Sequence, residues 1–351
     1  MTDTSHTISH DRLQSFTETV FTAAGMDAAH AGICARCMVQ TNLWGIDSHG
    51  VLRLPVYVKR LQLGAVQPKP TMDMVTNAGA LGVLNGGDGC GYVVGTTAMQ
   101  AAIEKAQQYG IGAVGAFRSS HFGAAALYTR IAADQGMIGI AMSNVVPNMV
   151  VPGGSKPIVG NNPLAVSVPT FGDFSFTLDI SMSAVAGGKL LLASKKGEKI
   201  PLDWATDKEG KPTDDPDKGF AGFLLPLAGH KGYGLALAVD LLSGLMTGGA
   251  FLHGLRGLYT HPDQPSLSGH FFMAVNSLAI MEKDAFKARM AEFYGQIKAS
   301  PMWDASAEML MPGEIEYRTE TDRRKTGIAL PPELIKELNT LANGLGIEER
   351  L

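Results

Sequence analysis

Cysteine is scarce in this chain. Its 351 residues include three, Cys34, Cys37 and Cys90. An odd, sparse count excludes a disulfide framework and suits a reducing compartment. Cys34 and Cys37 have CxxC spacing, but no second pair follows, so a zinc site lacks its further ligands and the pair reads as structural. A charge surplus is also missing. Lys and Arg number 29 against 33 Asp and Glu, the formal net charge is −4, and no long basic run occurs. That excludes recognition of a phosphate backbone, and with it nucleic acid as a partner. Long apolar runs are absent too. The longest candidates, 235–246 and 138–151, are broken by Gly, Ser, Asn, Asp or Pro. Both fall short of the roughly 18 apolar residues of a membrane span. Residues 1–10 are polar and lack the apolar stretch of a signal peptide, so the cytoplasm is the expected compartment. No H-E-x-x-H, G-x-S-x-G or G-x-x-x-x-G-K-[ST] pattern occurs, and no His pair stands at metal-ligand spacing.

What remains is ordinary for an enzyme subunit with a sizeable core: 45% apolar and 18% charged residues. The length predicts two lobes. Helical spacing runs from Ser9 or His10 through Leu13, Phe16, Val20 and Phe21 to a stop at Gly25. Asp27 opens a second helix over 28–44, and a third spans 51–63. Beyond Pro68 short apolar runs at 82–84, 111–116, 138–143, 164–168 and 174–178 read as strands. Helical stretches at 93–109, 124–135 and 233–247 alternate with them, an α/β pattern. A late strand is expected at 271–276, and further helices at 284–297 and 332–345. The polar segment 195–218 reads as a long surface loop, and the charged stretch 318–327 as a solvated connector.

Several segments carry candidate chemistry. In Asp47-Ser48-His49-Gly50-Val51-Leu52-Arg53, an imidazole sits on a helix-to-helix break with Arg53 four residues on. A guanidinium grips a carboxylate through parallel hydrogen bonds, and a neighbouring imidazole can protonate the adjacent carbonyl of a 2-oxo acid. Ser48 can fix the imidazole tautomer, or can simply cap the helix. Ser119-Ser120-His121-Phe122-Gly123-Ala124-Ala125-Ala126 joins a strand to a helix start, where free N–H groups favour anions. A plain serine cap explains it equally well. Gly86-Gly87-Asp88-Gly89-Cys90-Gly91 fails the G-x-G-x-x-G pattern and reads as a tight turn. Gly160-Asn161-Asn162-Pro163, Asp179-Ile180-Ser181-Met182-Ser183 and Gly229-His230-Lys231-Gly232-Tyr233-Gly234 are ligand candidates or turns and caps.

Taken in order, with Met311-Pro312-Gly313-Glu314 near the end, these segments strongly resemble the type 2 malate/L-lactate dehydrogenase family over roughly residues 13–345. Its members include malate, sulfolactate and ureidoglycolate dehydrogenases, a diketogulonate reductase and cyclic-imine reductases. The resemblance implies an α/β fold unrelated to the Rossmann dehydrogenases: a mixed, largely antiparallel sheet flanked by helices, in a homodimer. It divides the chain into an N-terminal helical segment (1–75), a cofactor-binding α/β domain (76–315) and a C-terminal connector and helix packing back on the start (316–351). It implies NAD or NADP as cofactor and a small 2-oxo or 2-hydroxy acid as substrate.

By position, the resemblance implies that His49 is the proton donor with Ser48 as relay and Arg53 as carboxylate clamp. His121, Phe122, Gly123, Ala124, Ala125, Asp179, Ile180, Ser181, His230, Lys231, Gly313 and Glu314 become cofactor contacts. In some relatives the match to His121 is the acid/base, so the two histidines compete. Cyclic-imine reductases are similar but carry Asp where Lys189 stands and Thr where Asn161 stands. The difference tilts the expected substrate toward a hydroxy acid. Lys189, as a substrate-side residue with Asn161, favours an acidic second substituent. Reduction of a cyclic imino acid is the alternative activity, and a binding protein without turnover is a third reading, opposed by the intact Ser48, His49 and Arg53.

Overall fold

The computed structural model describes residues 6–304 and 306–351. A short strand, β1 (His6–Ile8), leads into α1 (His10–Ala23), capped by Ser9, and α2 (Ala28–Leu43), capped by Asp27. Each cap side chain accepts a backbone N–H that the first helical turn leaves unpaired. The expected third helix is split. Within 51–63, Val51–Arg53 form a 3-10 turn and α3 runs only over Leu54–Gln62, because Pro55 is accommodated only in a first turn; another 3-10 turn, Asp47–His49, precedes them in the expected break.

The α/β part comes next: β2 (Asp73–Ala78), β3 (Leu81–Asn85), α4 (Gly91–Tyr109), β4 (Ile111–Ser119), α5 (Ala126–Ala133) and β5 (Met137–Ser143). A smaller set succeeds it, with β6 (Met149–Val150), β7 (Pro157–Val159), β8 (Leu164–Val168), β9 (Phe176–Ile180), α6 (Gly187–Lys196), β10 (Ala205–Thr206), α7 (Pro216–Ala221), β11 (Phe223–Leu224) and α8 (His230–Asp240). The chain ends with β12 (Ser268–Asn276), α9 (Lys283–Lys298), α10 (Glu314–Thr326), β13 (Ile328–Leu330) and α11 (Pro332–Gly344).

The main sheet has seven strands in the order β2-β3-β4-β12-β5-β8-β9. Only β3 and β4 pair in parallel; every other neighbour is antiparallel. This is the mixed, largely antiparallel sheet expected, with no doubly wound parallel core. The 86–91 segment is a turn, with Gly87 and Asp88 at positive φ and Arg118 paired to Asp88. One large core joins α1, α2, α3, α4, α5 and α11 to the sheet, and a second packs β6, β7, α6 and α8. The strand β13 pairs antiparallel with β1, so the end of the chain closes on its start. No described helix is long and apolar enough to cross a membrane.

Two expectations fail. The 318–327 stretch is not a connector: it lies in α10, where Arg318 pairs with Glu314 and Arg324 with Glu320 at i,i+4 spacing. The 195–218 segment is interrupted by the end of α6, by β10 and by the start of α7, which Asp215 caps. Charged sequence masked the helical signal in both places.

The first residue of α4 packs directly against the segment that carries His121. A Cβ at Gly91 would collide with the carbonyls of Ser120 and His121. Overpacking of this kind costs about 1–3 kcal/mol. Gly91→Ala should lower the thermal midpoint by several degrees; an unchanged midpoint in a denaturation scan would contradict the close packing.

Candidate active site

A cavity of about 880 Å³ opens beside the β4–α5 connection. Its walls include His49, Arg53, His121, Phe122, Gly123, Ala124, Ala125, Asn161, Asp179, Ser181 and Gly313. Segments separated by more than 250 residues in sequence therefore meet. Lys189, His230 and Lys231 are not among the lining residues; all three are exposed, in the first turns of α6 and α8. Ser48, Ile180 and Glu314 are not among the lining residues either, though each adjoins one in sequence. Glu314 is buried and accepts the Met311 N–H at 3.0 Å and Lys298 Nζ at 2.6 Å. These bonds, together with Arg318, hold its carboxyl down at about 2.

The 47–51 turn is held from α2 and α10. Asn42 donates to Asp47 at 2.7 Å and accepts the Val51 N–H at 2.9 Å. Arg323 clasps both oxygens of Asp47 at 2.7 and 3.0 Å. Gly50 is required there because a Cβ would overlap the Asn42 amide. The turn presents His49, whose Nδ1 lies 2.9 Å from the exposed Ser48 hydroxyl. Arg53 donates Nε to the Ser48 carbonyl at 2.8 Å, which aims its outer nitrogens into the cavity.

His121 is fixed more tightly. Tyr57 Oη lies 2.5 Å from its Nδ1, and the Gly123 N–H donates to the same atom at 3.4 Å. An Nδ1 that accepts the Gly123 N–H carries no proton, and in that tautomer the proton sits on Nε2 while the Tyr57 hydroxyl is shared with the His121 carbonyl at 3.1 Å. The two imidazoles stack with centroids 5.7 Å apart and planes inclined by 20°. Burial, then the Arg53 charge, pushes His49 down to about 4. Burial, then His49 and Arg53, holds His121 well below the usual imidazole range. Both rings are neutral at neutral pH.

Beneath them lies a residue the motifs do not announce. His270 is fully buried, with Nδ1 2.9 Å from Ser143 Oγ and Nε2 2.8 Å from Ser119 Oγ. Its ring lies parallel to Phe122 at 4.5 Å, and burial pushes it down to about 3. Neither serine of the 119–126 segment caps α5. Ser119 serves His270, and Ser120 accepts the Gly91 N–H at 2.9 Å. The α5 start is met by Asp179 instead, which accepts the Ala126 N–H at 2.8 Å. The chain's own carboxylate thus occupies the position an anionic ligand would take. Tyr57, Arg256 and Tyr259 also reach the site without a sequence signal: Tyr57 sits within an amphipathic helix, and the other two lie on an irregular loop.

Comparison with known proteins gives this geometry a setting. The profile described as malate/L-lactate dehydrogenase matches residues 8–339. The chain belongs to this family. It is an oxidoreductase among the 2-hydroxy acid dehydrogenases. An L-sulfolactate dehydrogenase of Methanocaldococcus jannaschii is 39% identical over 323 residues, 92% of each chain. The structure of the sulfolactate dehydrogenase from that organism superposes with a TM-score of 0.92 at 36% identity, covering 97% of this chain and 98% of that one. A malate dehydrogenase of Pyrococcus abyssi is 38% identical, with 97% and 95% covered. A delta1-piperideine-2-carboxylate reductase from Pseudomonas syringae is more distant, with a TM-score of 0.87 at 25% identity and 96% and 100% covered.

The family implies a nicotinamide cofactor, and the cavity fits one. Its volume lies in the range of small-molecule and cofactor sites. Gly123, Ala124, Ala125 and Gly313 offer it backbone with little side chain in the way.

The carboxyl of Asp179 is pushed up to about 6, chiefly by burial, against the Ala126 and Ala125 N–H groups that lower it. Its folded value lies above its unfolded one, so between about pH 4 and 6 the native state binds more protons and loses stability as pH rises. Asp179→Asn, which keeps an acceptor for Ala126, should gain stability relative to the parent between pH 4 and 7. Denaturant titrations at both pH values check this; a constant difference would rule it out.

Proposed function

We propose that the chain is an NAD- or NADP-dependent dehydrogenase of a small 2-hydroxy acid bearing a second anionic group, with His49 as acid/base. The observation that carries this is a pair of guanidiniums. Arg53 and Arg256 both line the cavity, and among the described residues neither pairs with a carboxylate. Two cations without carboxylate partners at one cavity suit a substrate with two anionic groups. The substrates named for the archaeal relatives, sulfolactate and malate, carry two anionic groups. A cyclic imino acid carries one carboxylate and would leave Arg256 unmatched.

A nicotinamide held against Gly123, Ala124, Ala125 and Gly313 would supply or accept the hydride at the substrate carbon. Arg53 holds the carboxylate next to that carbon. His49 takes the hydroxyl proton during oxidation and returns it during reduction. Ser48, exposed and bonded to Nδ1, links the imidazole to solvent. His121 has its Nδ1 committed to Tyr57 and Gly123, so its Nε2–H donates a hydrogen bond to the substrate oxygen. A ring so enclosed exchanges protons poorly, which favours His49 for the transfer. Asn161, bonded to Asn148 at 2.9 and 3.0 Å, is held rigidly at the cavity wall to orient the ligands.

His49→Ala should lower kcat by about 10²–10⁴-fold. In the parent enzyme, kcat/KM for malate oxidation should be flat above about pH 5 and fall toward pH 4, because the base is lost only when the depressed imidazole is protonated. A limb near 6.5, or full activity in His49→Ala, would move the role to another group. Arg256→Ala should reduce kcat/KM for oxaloacetate about ten- to hundredfold, as expected for about 1.5–3 kcal/mol from a charged hydrogen bond. The change for pyruvate should be within threefold. Parallel steady-state assays decide; equal losses would remove Arg256 from recognition of the second anion.

A further inference from the structure

Arg60 has no part in hydride or proton transfer, yet it is among the most deeply buried side chains, with 0% exposure. Among the described residues it forms no ion pair. A buried guanidinium without a counter-ion is costly unless its donors are satisfied. Its Nε has no partner among the described residues, and the partners of its two outer nitrogens all come from one distant loop. Nη1 donates to the His261 carbonyl at 2.8 Å and, more weakly, to the Leu258 carbonyl at 3.4 Å. Nη2 donates to the Gln264 carbonyl at 2.8 Å and to Ser266 Oγ at 2.9 Å.

That loop, residues 255–266, is a wall of the cavity. Leu255, Arg256, Gly257, Leu258, Tyr259 and Thr260 all line it. It has no regular secondary structure of its own to hold it. Its neck is closed by the Arg256 N–H donating to the Ser266 carbonyl at 3.1 Å. Leu252 and Leu267, on either side, both take left-handed backbone, at φ 47° and 58°. Such conformations in a branched residue persist only where surrounding contacts overdetermine them. The Leu252 N–H is held by Asp240 at 3.2 Å; between the two leucines Arg60 holds the loop from one side, and on the other Tyr259 meets Arg53, whose guanidinium lies 5.5 Å from the ring centroid.

We propose that Arg60 is a positioning residue that sets substrate discrimination. It pins the 255–266 loop so that Arg256 stands at a fixed distance from Arg53, and the cavity thereby measures the separation between the two anionic groups of its substrate. The inference rests on the dianion reading of the site. It adds that recognition of the second anion is enforced through a residue that never touches the substrate.

Arg60→Lys keeps the charge but loses the fork that spans the loop oxygens. Hydrogen exchange on the full chain should show the 255–266 amides exchanging at least tenfold faster in Arg60→Lys, with α1, α2 and α4 unchanged. The ratio of kcat/KM for oxaloacetate over pyruvate should fall about tenfold, mainly through a higher KM for oxaloacetate. Ser266→Ala, which removes one of the loop bonds, should move both readouts in the same direction by less. Combining Arg60→Lys with Arg256→Ala should give no further loss of the ratio beyond Arg256→Ala alone. Unchanged loop exchange, equal losses for both acids, or additive losses in the double variant would each overturn the proposal. A parent chain that reduces neither acid would defeat the dianion reading, while loop exchange in Arg60→Lys would still decide whether Arg60 pins the loop.

Discussion

The hydrogen bond between Tyr57 and His121 is the contact to which the rest of the cavity is referred. Tyr57 lies on α3 with Arg60 three residues on along the same face, and Arg53 stands at the N-cap of that helix, ending the preceding 3-10 turn. This one helix and its cap thus address three walls. Arg53 points toward the substrate space and Tyr259, Tyr57 fixes the imidazole at the end of β4, and Arg60 anchors the 255–266 loop. Shifting α3 along its axis would move all three together. The N-terminal helices therefore act as the frame against which the sheet-borne residues are aligned, and β13 pairing with β1 closes that frame.

The site was readable where chemistry coincides with local spacing. His49 and Arg53 lie four residues apart, and His121 comes after a strand of small apolar residues; the structure brings all three to one cavity, although His49 and Arg53 sit on separate 3-10 turns rather than one helical turn. The sheet's mixed character was legible only indirectly, through the failure of the glycine fingerprint at 86–91 and through family resemblance. Arg60 was opaque for a physical reason. A cation beside Lys59 on an amphipathic helix reads as solvent-facing, and nothing local reveals that its four oxygen partners come about 200 residues later. Arg256 and Tyr259 lie on a loop with no period to detect. Asp179 was recognisable as a carboxylate near a ligand space, but its partner, the Ala126 N–H, is a backbone group with no sequence signature.

Lys189, His230 and Lys231 show the converse. A lysine beside glycines at a helix start has the right chemistry for an anion, but chemistry alone does not place it on the cavity. In this chain the helix starts at Gly187 and His230 leave those side chains exposed. The cationic contribution to the cavity comes from guanidiniums instead. Their planar forks fit that role, because one edge can be held by a carbonyl or hydroxyl while the other stays free for an anion. Arg53 shows the arrangement directly, with Nε bound to the Ser48 carbonyl.

This arrangement couples binding to proton transfer. The positive charge of Arg53 adds to burial in pushing His49 down to about 4. A carboxylate laid against Arg53 cancels much of that charge and adds a negative one near the imidazole, and both changes favour the protonated ring. On the proposed reading, the 2-oxo acid therefore raises the proton affinity of its own donor as it binds, and a hydroxy acid without its carboxylate would gain no such help. On the same reading His121 stays neutral, because burial and the contacts of its Nδ1 with Tyr57 and Gly123 oppose a second ring proton. On the proposed reading, of the two stacked imidazoles at the same cavity, the one bonded to the exposed Ser48 hydroxyl is the one whose charge the substrate changes.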